Sequence, residues 1–225
     1  MKLNYRLFNA IIFDFDGVIL DSEPIHYEAC NYVLKDIGFN LDYEEFKKSY
    51  LGLADKTLFP QLLASKRLNL PLDKIDQMID KKQNYFTSII RDKKALPVIN
   101  GVAQYIKQAV NAAKKLAICS GAAQKEILTV LKKLEPDIQV SHFNTIVTAD
   151  EVRYGKPSPE GYLLTAQKLG LLPNQCLVIE DSPHGIMAAK EAGMSVVALL
   201  TSYQEAELLK ADYITRDFET LGLVH

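Results

Sequence analysis

The chain has 225 residues, enough to bury a full-sized core, and its 48% hydrophobic and 24% charged content is ordinary for a soluble globular protein. A net charge of −2, from 26 basic and 28 acidic residues, gives no electrostatic basis for binding nucleic acid or an anionic membrane. Three cysteines, Cys30, Cys119 and Cys176, are too few and too scattered for a disulfide framework or a zinc site, which fits a reducing compartment.

The first apolar run, residues 10–13, is short and ends in acidic residues, so no signal peptide is expected. No stretch approaches the roughly 20 apolar residues of a membrane span. A cytoplasmic protein is the expectation, with a monomer as the working assumption.

In chain order, residues 10–15 form a short β-branched apolar run that reads as a buried parallel strand. Helical patterns follow at 24–37, 43–50, 56–67 and 72–91, with no convincing strand among them. Thereafter helices and strands alternate: a helix at 102–111, a strand at 116–119, a helix at 124–134 and a strand at 145–148. Next come a helix at 159–169, with Ser158 as its N-cap and Pro159 at its first position, and a strand at 176–179. A helix at 184–191, a strand at 195–200 and a weaker strand at 213–215 complete the series.

Alternating strands and helices predict a doubly wound, mostly parallel, Rossmann-like α/β sheet. A strand-helix-strand unit needs about 30 residues, and the gap between the first two strands is far longer. The surplus predicts an all-helical cap inserted after the first strand. Residues 1–19 and 96–225 would form the catalytic core and residues 20–95 the cap, hinged near 19–22 and 94–97.

Open α/β sheets bind ligands outside the carboxyl ends of their strands. The polar residues there are Asp14, Asp16, Ser120, Lys156 in the loop after the third strand, Glu180 and Asp181. Four carboxylates against one ammonium repel strongly outside bulk water, so either some protonate or a divalent cation joins them. Oxygen donors without nearby His or Cys favour Mg²⁺, which commonly binds one or two carboxylates together with a substrate phosphate.

A carboxylate is ionised at neutral pH and can attack phosphorus, which makes Asp14 the candidate nucleophile. Asp16 shares its side of the strand, and Gly17 lets the chain turn beyond it, so Asp16 suits a general acid and then a base. Ser120 and the Gly121 amide would hydrogen-bond phosphoryl oxygens near a helix start. Lys156 would offset charge on Asp14 and the transferred group, its backbone kept extended by Pro157. Asp181 would ligate the metal, with Glu180 as a second ligand or an outer partner.

Asp-Phe-Asp-Gly-Val at 14–18, Ser120 after an apolar strand, Gly-Lys-Pro-Ser-Pro-Glu at 155–160 and Ile-Glu-Asp-Ser-Pro-His-Gly-Ile at 179–186 resemble the four motifs of the haloacid dehalogenase superfamily. Leu-Asp-Ser-Glu-Pro-Ile-His at 20–26 further resembles its β-phosphoglucomutase-like branch, which carries a helical cap. The resemblance implies Mg²⁺-dependent phosphoryl transfer from a small phosphorylated metabolite. It carries nucleophile, acid–base and metal roles to Asp14, Asp16, Ser120, Lys156, Glu180 and Asp181, Asp14 and Asp16 counting among the metal residues.

Asp16 disfavours dehalogenation, because the dehalogenases of the superfamily lack it. The mutase resembles this chain at His26, a candidate substrate contact that could equally be a satisfied, partly buried histidine. The mutase's cap arginine, however, is replaced within Gly-Leu-Ala-Asp-Lys-Thr, 52–57; Asp55 there would repel a phosphate, with Lys56 as a partial substitute. Lys81 and Lys82 read as a solvated helix face. Cys119 reads as core packing. The expectation is a phosphatase acting through an aspartyl-phosphate, with a phosphomutase as alternative and a phospho-accepting signalling module as a weaker one.

Overall fold

The structure, a computed structural model, describes residues 3–222, so the outermost residues assigned to the core, 1–2 and 223–225, lie outside it. Six strands form one fully parallel sheet: β1 (Ala10–Phe13), β2 (Lys115–Cys119), β3 (Thr145–Val147), β4 (Cys176–Glu180), β5 (Ser195–Leu199) and β6 (Tyr213–Thr215). Their order is β3-β2-β1-β4-β5-β6. The chain thus winds outwards in one direction to β3, then returns to the middle and winds the other way from β4. The switch point lies between β1 and β4, where a doubly wound sheet opens a crevice at its carboxyl edge.

Both faces of the sheet are covered, and the two-residue period of the strands sorts their side chains. Ile11, Phe13, Ile118 and Ile179 face helices α5 (Val102–Asn111) and α6 (Gln124–Leu134). Ile12, Ala117, Val178 and Val196 face α7 (Glu160–Leu169) and α8 (Pro183–Glu191). Strands buried on both sides need the continuous apolar runs seen here.

Between β1 and α5 the chain forms α1 (Glu23–Leu34), α2 (Tyr43–Ser49), α3 (Asp55–Ser65) and α4 (Leu72–Asp92). These helices bury a cluster of their own, including Val33, Phe46, Phe59, Leu62 and Ile79. The two segments joining them to the sheet lie side by side: the Asp21 amide donates to Pro97 O at 2.8 Å and the Ile99 amide to Ile19 O at 3.0 Å. A last short helix, α9 (Phe218–Leu221), follows β6.

Most element boundaries shift from expectation by one to three residues, and three of the shifts lie near Asp14, Lys156 and Asp181. β1 ends at Phe13 because the chain turns at Gly17, at φ 74°, though the Asp14 amide still donates to Ile179 O at 2.9 Å. α7 begins at Glu160, with Pro159 and not Ser158 at its N-cap; Ser158 Oγ nonetheless accepts the Glu160 amide at 3.3 Å, so it still satisfies a free helix N–H. α8 begins one residue early, at Pro183, because Ser182 accepts the Gly185 amide at 3.0 Å and Pro183 fits the first helical position.

Candidate active site

At the switch point the end of β1 delivers Asp14, and the end of β4 delivers Glu180 and Asp181. One carboxylate oxygen from each of the three lies within 4.8 Å of the others. Lys156, from the loop between β3 and α7, reaches into the cluster. Its Nζ stands 2.9 Å from Asp14 Oδ1 and 2.6 Å from Glu180 Oε1. The Lys156–Pro157 peptide is cis.

Burial and repulsion decide how these groups titrate. Burial pushes the Asp14 carboxyl up to about 8; Lys156 opposes the shift and Glu180 adds to it. Burial, then Glu180 and Asp14, drive Asp181 well above the carboxylate range. Glu180 goes the other way. Burial alone would raise it, but Lys156, Tyr162 and the Ser182 amide hold it below its ordinary value. The Lys156 ammonium, which burial would weaken, is held above its ordinary value by Asp14 and Glu180.

Both Glu180 oxygens are already taken. Oε1 accepts Lys156 and the Tyr162 hydroxyl at 2.7 Å; Oε2 accepts the amides of Asp181 and Ser182 and the Ser182 hydroxyl, all at 3.0–3.1 Å. Asp181 accepts the Ser202 hydroxyl through Oδ2. The donor set fits a small hard cation: three oxygen ligand groups, two of which hold their protons too tightly unless positive charge is added.

Close packing fixes this geometry through two glycines. A Cβ on Gly17 would fall 1.8 Å from Asp181 Oδ2, and one on Gly185 would fall 1.7 Å from Glu180 Oε1. Gly185→Ala must therefore displace Glu180 from its donors. It is expected to cost about 1–3 kcal/mol, as overpacking does, measured by denaturant unfolding; an unchanged midpoint would contradict the packing described.

Ser120 continues the β2 ladder, its amide donating to Val147 O at 3.0 Å, and its hydroxyl oxygen accepts the Ala122 amide at 3.0 Å. Gly121 follows, three residues before α6, packed loosely against Ala54. Gly121, Lys156, Asp14 and Asp181 line one cavity, whereas Ser120 lines a neighbouring one that shares Gly121 and Lys156 with it.

Asp16 stands apart from the other three carboxylates. Its Oδ1 accepts the Ser22 hydroxyl and faces His26 Nε2 at 3.1 Å. Burial alone would raise Asp16, yet His26, Ser22 and Lys82 hold it below the carboxylate range. The other ring nitrogen, His26 Nδ1, lies 2.9 Å from Lys82 Nζ. An ammonium has only hydrogens to give, so Nδ1 accepts and Nε2 carries the hydrogen towards Asp16. The ring also stacks on Phe86 at 4.4 Å.

Lys82 is the clearest departure from the sequence reading. It is 2% exposed, not solvated, and its ammonium lies 2.9 Å from Asp55 Oδ1 and 3.3 Å from the equally buried Glu126 Oε1. Burial would lower its pKa, but Asp55 and Glu126 carry it above the ordinary value. Lys81, by contrast, is half-exposed and pairs with Asp36. Asp55 is therefore the partner of a buried lysine. Cys119 is buried, its thiol pushed up to about 12 by burial, in keeping with core packing.

A cavity lies between the sheet edge and the helical insert. Asp14, Asp16, Lys156 and Asp181 form its floor; Tyr50, Leu51, Leu53 and Leu58 form much of its far wall. Tyr203 closes one side, its hydroxyl donating to Leu51 O at 3.1 Å. A second cavity, beyond Ala54, is lined by Lys56 and Arg153 and shares Gly121 and Lys156 with the first. Lys56, the substitute cation of the sequence reading, lines only that second cavity. Ser202 lies in the loop after β5, at the same carboxyl edge of the sheet as Asp14, whereas Tyr162 and Glu126 sit on helices with no motif to mark them.

The sequence matches the model of the haloacid dehalogenase-like hydrolases over residues 11–199. It is 30% identical to the phosphorylated carbohydrates phosphatase of Thermotoga maritima over 82% of each chain. It is also 30% identical to the fructose-1-phosphate phosphatase YqaB of Escherichia coli, over 86% of this chain and 97% of that one. Among solved structures, β-phosphoglucomutase from Clostridium difficile is similar at a TM-score of 0.85 and 26% identity, covering 96% of this chain and 93% of its own. No helix among the described residues is long and apolar enough to cross a membrane. The chain belongs to the haloacid dehalogenase-like hydrolase family, and within it this protein is a phosphohydrolase.

Proposed function

We propose that the protein is a Mg²⁺-dependent phosphatase of a small phosphorylated metabolite, a sugar phosphate or similar, working through an aspartyl-phosphate on Asp14. One observation carries this reading. Asp14 stands between an ammonium and a group of carboxylates, at the floor of a cavity that Asp16 also lines. Asp14 and Asp181, each with an oxygen not committed to Lys156 or Ser202, would hold Mg²⁺, with Glu180 as the outer partner that orients Lys156. The bound ion would neutralise charge on the phosphoryl oxygens.

Asp14 attacks phosphorus as the ester P–O bond breaks, and Asp16 gives a proton to the departing alcohol oxygen. Asp16 then takes a proton from water, whose oxygen attacks phosphorus and releases inorganic phosphate from Asp14. Its low pKa leaves it ionised and able to accept that proton, though as a weak base. The first half needs a proton, which a dianionic phosphate beside Asp16 favours by repulsion. Ser120 and the Gly121 amide donate to phosphoryl oxygens, and Lys156 offsets their charge. His26, held by Lys82, orients Asp16. The insert, residues 20–95, acts as the cap that excludes bulk water.

The phosphomutase reading keeps support from the similar mutase structure. Against it stands Asp55, committed to Lys82, where a mutase needs positive charge for a second phosphate. Purified protein should hydrolyse p-nitrophenyl phosphate with Mg²⁺ and stop with EDTA; turnover indifferent to chelation would overturn the metal assignment. A phosphate release slower than interconversion of sugar phosphates would favour the mutase.

Mg²⁺ should also change stability in a pH-dependent way. With protein groups alone the folded state holds a proton on Asp14 that the unfolded chain loses, so the contribution of Asp14 to stability falls as pH rises from 3.8 towards about 8. Mg²⁺ displaces that proton, so its increment in Tm should grow across the same interval. Differential scanning calorimetry at several pH values, with and without Mg²⁺, measures it; a pH-independent increment would contradict it.

A further inference from the structure

The leaving group must lie where its oxygen can meet Asp16, and Asp16 lines the larger cavity but not the one beyond Ala54. That orientation fixes which walls the leaving group touches. Away from the phosphate floor they are Leu51 and Leu53, half-buried, with the buried Leu58 and the ring of Tyr50, whose hydroxyl is taken up by Ser65. The charged groups around them are Asp21, Glu23, Asp55, Glu126 and Lys82. Lys82 is already neutralised by Asp55 and Glu126, at 2.9 and 3.3 Å. Lys156 is engaged by Asp14 and Glu180. Among the described residues, no lysine or arginine lining this cavity lacks a carboxylate partner, while Asp21 and Glu23 add further negative charge.

Resting on the phosphatase reading above, we propose that this site selects phosphomonoesters of uncharged alcohols that present an apolar face to Leu51, Leu53 and Leu58, and rejects those whose leaving group carries a carboxylate or a second phosphate. An anionic leaving group would lose water on entering and meet only like charge and hydrocarbon. The repulsion acts in the bound substrate as well as in the transition state, so the penalty falls mainly on KM.

The experiment compares phenyl phosphate, its para-carbamoyl derivative and its para-carboxylate on the Mg²⁺-loaded full-length protein, with a hexose 6-phosphate and a hexose 1,6-bisphosphate as a second pair. The uncharged member of each pair is expected to have kcat/KM at least about 10-fold higher, the ratio that about 1.4 kcal/mol produces, with the carbamoyl ester close to phenyl phosphate. Leu53→Arg should narrow or reverse the carboxylate discrimination by about 10-fold, and Leu51→Arg provides the same reading if the first variant fails to fold. Equal or better use of the charged esters by the wild type, or a ratio unmoved in both variants, would overturn the proposed selectivity while leaving the phosphatase intact. Hydrolysis of none of the five esters would instead remove the phosphatase reading on which it rests.

Discussion

Asp14→Asn is expected to abolish turnover, by on the order of 10⁴-fold or more, as the loss of a covalent nucleophile does elsewhere. An amide of the same shape neither attacks phosphorus nor contributes the negative charge that the metal site uses. The same change should leave the fold unharmed. Asp14 is buried beside Glu180 and Asp181, and its ionisation is opposed by that burial. Asn removes one of three mutually repelling carboxylates, while Lys156 keeps Glu180 at 2.6 Å. In the absence of Mg²⁺ the variant should therefore melt at or above the wild-type temperature near pH 8, and the decline of Tm with rising pH should flatten. Kinetics with p-nitrophenyl phosphate and a pH series of melting curves give the two readings. Substantial residual turnover would mean that the nucleophile is misassigned. A lower, still pH-dependent Tm would mean that the charge balance around Asp14 is misassigned.

Most of this floor was legible in the sequence because it is built from strand ends. A parallel strand buried on both faces writes itself as an apolar run, and the residue after the run must lie at the carboxyl edge. Asp14, Ser120, Glu180 and Asp181 are all such residues, and Lys156 sits in a loop at the same edge. The topology could not be read from runs alone, yet the pairing of β1 with both β2 and β4 is what brings motifs more than a hundred residues apart within hydrogen-bond range. The helical insert was legible as an interval, but its chemistry was not. A lysine on an amphipathic helix is normally solvated, and nothing in the local pattern separates Lys81 from Lys82. They differ because α4 turns one of them towards α3 and α6, where Asp55 and Glu126 wait. Asp55 was misread for the same reason: as a lone charge it would repel phosphate, whereas in the folded protein it belongs to an ion pair. His26 resolves likewise. Its two nitrogens have partners from different elements, Asp16 beyond β1 and Lys82 on α4, which only the assembled structure supplies.

Lys82→Met should be the most destabilising single change outside the sheet. Lys82 joins three parts of the fold: Asp55 at the start of α3, Glu126 on α6 beneath the insert, and His26 on α1. Removing one partner of a buried ion group leaves the others desolvated and unpaired, which costs about 3–5 kcal/mol. Burial already pushes Glu126 above the carboxylate range with Lys82 as its main opposing charge, so without Lys82 it would protonate, and its ionic link to α4 goes with the ammonium. At about 2–4 °C per kcal/mol for a chain of this size, Tm should fall by about 6–20 °C. The penalty belongs to stranded charge and not to lost volume, since Met fills much of the same space. The triple variant Lys82→Met, Asp55→Asn, Glu126→Gln should therefore recover most of the loss, because neutral groups of similar shape carry a far smaller desolvation cost. Amide exchange should rise in both α4 and α6 in the single variant, since Lys82–Glu126 ties the insert to the core. A single variant within 1 kcal/mol of wild type, or a triple variant no more stable than the single one, would show that these charges are not what holds the insert over the site.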